Sequence, residues 1–184
     1  MRRAYIIFAA AALSACGRSP RQLYVDVRFS GAEIEDIRSA VDEVNKLACL
    51  IGEDKLIEIA GEFRDDDGHF DQSNIDDGED QLYRIGSAGE CSDYTEHFQS
   101  KFGDIGNLYG FYTGTDTGIL VFNLNQPNRP PLRHVIMHEL GHYVGMEHVT
   151  GNSWAVMAPT GYGPRSFTQA DKEEFCLRQG CDPD

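Results

Sequence analysis

The sequence predicts a single α+β domain, a β-sheet with three main helices, and three observations carry that prediction. An alternating segment from Gln22 to Ser30, a helical period from Ala32 to Ile51 and an apolar run from Lys55 to Phe63 follow one another directly. That strand-helix-strand order packs a helix across a sheet. Further strand-like runs and two more helical segments come later in the chain, and 184 residues suffice for one domain with a core but not for two ordinary ones. Hydrophobic residues at 41% and charged residues at 25% match globular averages, which excludes wholesale disorder, collagen-like repeats and a polytopic membrane protein.

Before the first strand, Met1-Arg2-Arg3 forms a charged start and Ala4 to Leu13 an apolar run too short to span a bilayer. Residues 1–15 therefore read as an export signal. The run ends in Leu13-Ser14-Ala15-Cys16-Gly17, which resembles the lipobox of bacterial lipoprotein precursors. That resemblance implies cleavage before Cys16, acylation of its thiol, and membrane attachment through lipid at the bacterial outer membrane or cell surface, with residues 16–22 as a linker and 23–184 as the folded domain. Acyl chains supply the membrane affinity at about 0.8 kcal/mol per buried CH₂.

Within the domain, Leu23, Val25, Val27 and Phe29 alternate as a half-buried strand requires. Ile34, Ile37, Val41, Val44, Ala48 and Ile51 recur three or four apart between acids, the pattern of an amphipathic helix, and Gly52 closes it. Leu56, Ile57, Ile59 and Phe63 supply a second strand, and Leu82 to Ile85 a short third. Arg64 to Asp80 holds eight acids, a density that fits either a solvated loop or a calcium site, although its spacing departs from the EF-hand pattern. Asn107 to Thr113 and Gly118 to Leu124 read as two strands, separated by Gly114-Thr115-Asp116-Thr117. Pro127 to Pro131 ends the sheet and opens a helix. Thr168 to Asp171 caps a last helix running through Phe175.

Charge and cysteines narrow the function classes. Sixteen Lys and Arg stand against 30 Asp and Glu, a formal charge of −14 that repels phosphate backbones, so nucleic acid is not an expected partner. Apart from Cys16, four cysteines remain, an even number for an oxidising compartment. Cys176 and Cys181 flank a helix end with Gly180 available for the turn, so the favoured pairing is Cys176 with Cys181 and Cys49 with Cys91.

The chemistry lies in His138-Glu139-Leu140-Gly141-His142-Tyr143-Val144-Gly145-Met146-Glu147-His148. On 3.6 residues per turn, His138 and His142 project from one helix face and can meet on a single ion. A third donor needs the chain to bend. Gly145 supplies the bend, since glycine takes positive φ without a Cβ penalty, and His148 then returns as the third ligand. His134 lies on the same face but too far from His142 for a common ion, so it reads as an exposed first-turn residue; His69 and His97 have no partner spacing. Three imidazoles suit Zn²⁺ with its fourth position open to water, whose pKa falls to about 7. Glu139, next to the first ligand, can take that water's proton and hand it to a leaving amine. The expected reaction is zinc-dependent hydrolysis of peptide bonds.

This pattern resembles the metzincin zinc endopeptidases, H-E-x-x-H-x-x-G-x-x-H followed by a methionine turn. Ser153-Trp154-Ala155-Val156-Met157-Ala158-Pro159 is similar to the matrixin type of that turn. The resemblance implies a zincin-like fold: a twisted mixed β-sheet, the active-site helix at the cleft, and a small C-terminal subdomain. It also implies that Met157 lies beneath the three histidines and that Asn107 to Thr113 is an antiparallel edge strand pairing with extended peptide. Val149 follows the third histidine and matches none of the residues that mark the matrixins, astacins or adamalysins. Pro159 stands where astacin-like enzymes place a tyrosine, and Tyr162 is out of register with it.

The expected protein is thus an exported monomeric zinc endopeptidase with a peptide or protein substrate. Two other readings remain: a surface adhesin or binding lipoprotein whose zinc only staples its fold, and an amidase of cell-wall peptides with the same mechanism. A structural zinc would ordinarily have four protein ligands, and no fourth is evident.

Overall fold

In the computed structural model of the chain, the described residues are 19–63, 80–84, 109–112, 118–121, 128–159 and 164–183. They form an α+β fold with a five-stranded mixed sheet and three α-helices. Cys16, Cys91, His69, His97, Tyr162 and residues 64–79 of the acidic segment lie outside the described residues.

Strand β1 (Arg21–Asp26) buries Leu23 and Val25, as the alternation predicts. It stops earlier than expected because the buried Asp26 turns the chain: its carboxylate accepts the Arg28 N–H at 2.9 Å and the Arg28 Nε–H at 2.8 Å, and its carbonyl accepts the Phe29 N–H. The strand begins at Arg21, inside the segment predicted as a linker, and the Arg21 side chain is bound into the fold. Helix α1 (Gly31–Asn45) starts from a capping box in which Ser30 and Glu33 satisfy each other's backbone N–H groups. Ile37, Ala40, Val41 and Val44 form its buried face. Where one helix through Ile51 was expected, the chain tightens into a short 3₁₀ helix at Ala48–Ile51, closed by Gly52 at φ 73°.

Asn45 joins this end of α1 to β2 (Ile57–Phe63), accepting the Leu56 and Ile57 N–H groups and donating to the Ile57 carbonyl. Strands β3 (Asp80–Arg84), β4 (Gly110–Tyr112) and β5 (Gly118–Val121) complete the sheet in the order β2-β1-β3-β5-β4. All neighbours are parallel except β4, which runs antiparallel along β5 and forms one edge.

Helix α2 (Leu132–Tyr143) follows the proline run, and α3 (Gln169–Gln179) is the last element. Leu23, Val25, Ile57, Leu82, Ile119 and Val121 of the sheet share one core with α1 and with Leu132, Val135, Ile136 and Leu140 of α2. Arg133 of α2 pairs with Glu43 of α1 at 3.3 Å. Residues 144–159 then cross beneath α2 with no strand or α-helix of their own.

The cysteine expectations divide. Cys176 and Cys181 are bonded, with Gly180 at φ 73° in the turn between them. Cys91 of the expected Cys49 to Cys91 pair lies outside the described residues; Cys49 faces solvent on the 3₁₀ helix, a free thiol among the described residues, its sulfur donating to the Lys46 carbonyl. Among the described residues, no helix is long and apolar enough to cross a membrane.

Candidate metal centre

The site rests on the C-terminal half of α2. His138 and His142 leave the helix one turn apart, and the chain then reverses at Gly145, whose φ of 94° is the left-handed conformation the sequence requires there. The turn is fixed by Gly145 N–H to His142 carbonyl and Met146 N–H to Gly141 carbonyl bonds, both 2.9 Å. His148 is thereby carried back toward the helix, and Val149 N–H bonds the Met157 carbonyl at 2.9 Å, tying the returning chain to the segment around Met157. The three imidazoles predicted from the spacing do converge: each pair of Nε2 atoms is 3.2 Å apart.

The contact between His138 and His142 is not a hydrogen bond. His138 Nδ1 lies 2.8 Å from the Val156 carbonyl and His142 Nδ1 lies 2.9 Å from the Met146 carbonyl. A carbonyl only accepts, so each Nδ1 carries the proton and each Nε2 presents a lone pair. Bare lone pairs held together repel unless a cation lies between them. Nitrogens on such a triangle can all lie about 2.0–2.1 Å from one point just off its plane, the distance of imidazole to zinc. The donor set therefore fits a borderline-soft divalent cation. Burial pushes the His138 pKa down to about 4, against the raising effect of its bond to Val156, and burial lowers that of His142 also. Both rings stay neutral, and able to bind metal, at pH values where an exposed imidazole is protonated.

Glu139 is buried beside these donors, in a cleft of roughly 530 Å³ bordered by Gly110, Tyr112, His138, His142, His148 and Pro159. Burial raises its pKa to about 8, opposed by a backbone hydrogen bond with Tyr112. Strand β4 reaches the carboxyl only because residue 110 is glycine. A Cβ there would stand 2.6 Å from Glu139 Oε1 and 2.7 Å from Val135 Cγ1. The edge strand anticipated at Asn107 to Thr113 is thus present as Gly110–Tyr112 and flanks the cleft.

Met157 is fully buried under α2. Its sulfur would be 2.2 Å from a Cβ on Gly141, so the glycine between the histidines is what admits the methionine. A glycine inside a helix costs about 1 kcal/mol relative to alanine, and that penalty was the available sign of a close approach.

Several site residues escape a reading of local patterns. The Tyr143 hydroxyl donates to the Asp80 carboxylate, the Arg21 guanidinium lies 3.7 Å from the centre of the Tyr143 ring, and Arg21 Nη1 donates to the Tyr143 carbonyl at 2.5 Å. This knot ties the C-terminal end of α2 to β1 and β3. It also shows that Asp80, the last acid of the predicted loop, belongs to the sheet. Asp171, predicted only as a capping residue, also accepts the Val156 and Met157 N–H groups at 3.0 and 2.9 Å. Nothing in the spacing of the chain marks these long-range partners.

His134 does not join the metal cluster. Contrary to expectation it is partly covered rather than exposed; burial lowers its pKa and leaves its Nδ1 without a hydrogen-bond partner. No family model matches this chain, and comparison with curated proteins returns no match.

Proposed function

We propose that the protein is a zinc-dependent endopeptidase of the metzincin type, with the zincin-like arrangement of sheet, active-site helix and small C-terminal subdomain, exported and held at a membrane by lipid on Cys16. The observation that carries the reading is the triangle of three Nε2 atoms, in which the Nδ1 protons of His138 and His142 are already committed to carbonyls. His138, His142 and His148 would hold the ion, which when bound supplies a Lewis acid for the scissile carbonyl and for water.

The chain's own residues supply the rest. Glu139 takes the proton of the attacking water and delivers it to the leaving amine, and its apolar surroundings favour the proton-carrying state. Strand β4 is antiparallel at the sheet edge and borders the cleft, so its backbone can pair with an extended substrate and lay the scissile bond beside Glu139. Met157, packed under Gly141, supports the floor on which His138 and His142 rest.

Cleavage of a peptide library by the purified, zinc-loaded mature protein tests this reading. Glu139→Ala should lower the rate by about 10²-fold or more while zinc content is unchanged. Chelator-insensitive cleavage overturns the reading, and tight zinc with no cleavage of any peptide favours the binding lipoprotein instead.

A further inference from the structure

Helix α3 contributes no ligand, yet two of its carboxylates reach the ligand histidines through single peptide groups. The first chain runs through the peptide joining Val156 and Met157. Its N–H, on Met157, donates to Asp171 Oδ1 at 2.9 Å, and its carbonyl, on Val156, accepts from His138 Nδ1 at 2.8 Å. The second runs through the peptide joining Met146 and Glu147. Its N–H, on Glu147, donates to Glu174 Oε1 at 3.2 Å, and its carbonyl, on Met146, accepts from His142 Nδ1 at 2.9 Å. Asp171 and Glu174 are three residues apart on α3, so one helix face serves both chains.

A carboxylate bonded to the N–H of an amide draws that dipole into line and makes its carbonyl a stronger acceptor. A stronger acceptor on Nδ1–H fixes the tautomer and makes Nε2 a better donor to metal. We propose that α3 is a tuning helix: Asp171 and Glu174 are positioning residues that raise the metal affinity of His138 and His142 through the intervening peptides. The proposal rests on the metal reading above and adds to it a role for residues that touch neither ion nor substrate.

The two chains are unequal. Asp171 is fully buried and takes further bonds from the neutral Val156 N–H, Thr168 N–H and Thr168 hydroxyl, so its charge acts undiminished. Glu174 also binds Arg178 at 2.8 Å, which offsets its charge, and its peptide bond is longer. Asp171 is therefore the stronger of the two.

Competition titration of zinc against a chromophoric chelator, alongside thermal melting of the metal-free protein, tests the proposal. Outer partners of ligand histidines commonly govern 10–100-fold in affinity, so Asp171→Asn should weaken zinc about tenfold and Glu174→Gln about twofold to threefold. Phe175→Leu leaves a void under α3 and lowers the melting temperature, but it removes no bond of either peptide chain and should keep zinc affinity within about twofold of wild type. Equal zinc affinity in wild type, Asp171→Asn and Glu174→Gln overturns the proposal. So does a loss in Phe175→Leu as large as that in Asp171→Asn, which would mark a purely structural effect. If Asp171→Asn does not fold, Glu174→Gln decides alone, because Glu174 is less buried than Asp171: unchanged affinity refutes the tuning role. A wild-type chain that takes no zinc overturns the metal reading itself, and this proposal with it.

Discussion

The two sides of the cleft are held together by different forces. Above it, β1, β3 and β5 pack on α1 and α2 through fully buried Leu23, Ile37, Leu82, Ile119 and Ile136, and the first two histidines and Glu139 inherit their placement from a helix bedded in that core. Below it, residues 144–159 have no regular structure and are positioned one bond at a time. Asp171 holds the Val156 and Met157 amides, Glu174 the Glu147 amide and Gln179 the Val144 carbonyl, while Cys176–Cys181 staples the end of the helix that supplies them. Packing stabilises the upper side against any local change, whereas the lower side depends on a few polar partners and one covalent link. The third histidine of the cluster, His148, stands on the less redundant side.

Substitutions separate the two most sharply in the upper core. Ile136→Ala empties a fully buried position on α2, and truncations of that kind cost about 2–5 kcal/mol. Chemical denaturation should show the whole transition moving to lower denaturant with its steepness kept. Next in size, the paired change of Cys176 and Cys181 to serine releases a short loop worth about 2 kcal/mol. Its expected signature is regional: hydrogen exchange should quicken in 144–159 and 169–179 and stay slow in β1, β3 and α1. Equal acceleration everywhere would erase the distinction drawn between the two sides.

A third effect depends on pH. In the metal-free protein the Glu139 carboxyl keeps its proton to about pH 8, against an ordinary value of 4.5. Because the folded pKa is raised, its contribution is fully present below 4.5 and is lost as pH rises through 8, where the buried group must ionise. Glutamine at this position never ionises. Glu139→Gln should therefore raise the melting temperature most above pH 8, with the gain shrinking as pH falls toward 4.5. A gain independent of pH would mean that Glu139 is not shielded from water. A cation on the adjacent histidines favours the carboxylate and should reduce the gain.

What could be read in the sequence follows the same division. The period of Ile37, Val41 and Val44, the stop at Gly52, the spacing of His138, His142 and His148, the bend at Gly145 and the Cys176–Cys181 pair are local patterns, and each is present in the fold. Contacts between distant segments were not legible. Arg21, Asp80 and Tyr143 meet across 122 residues of chain, and the amide bonds of Asp171 and Glu174 to 147–157 follow no period. Helical spacing alone also misjudged His134, whose burial depends on what packs over the first turn of α2. The three converging histidines could be listed in advance; what orients them could not.

Elemental analysis of the protein, purified without chelator, tests the central claim most directly. The account predicts one zinc per wild-type chain and none retained by His142→Ala or His148→Ala, with both variants still folded. Wild-type protein free of zinc, or variants that keep it in full, would contradict it.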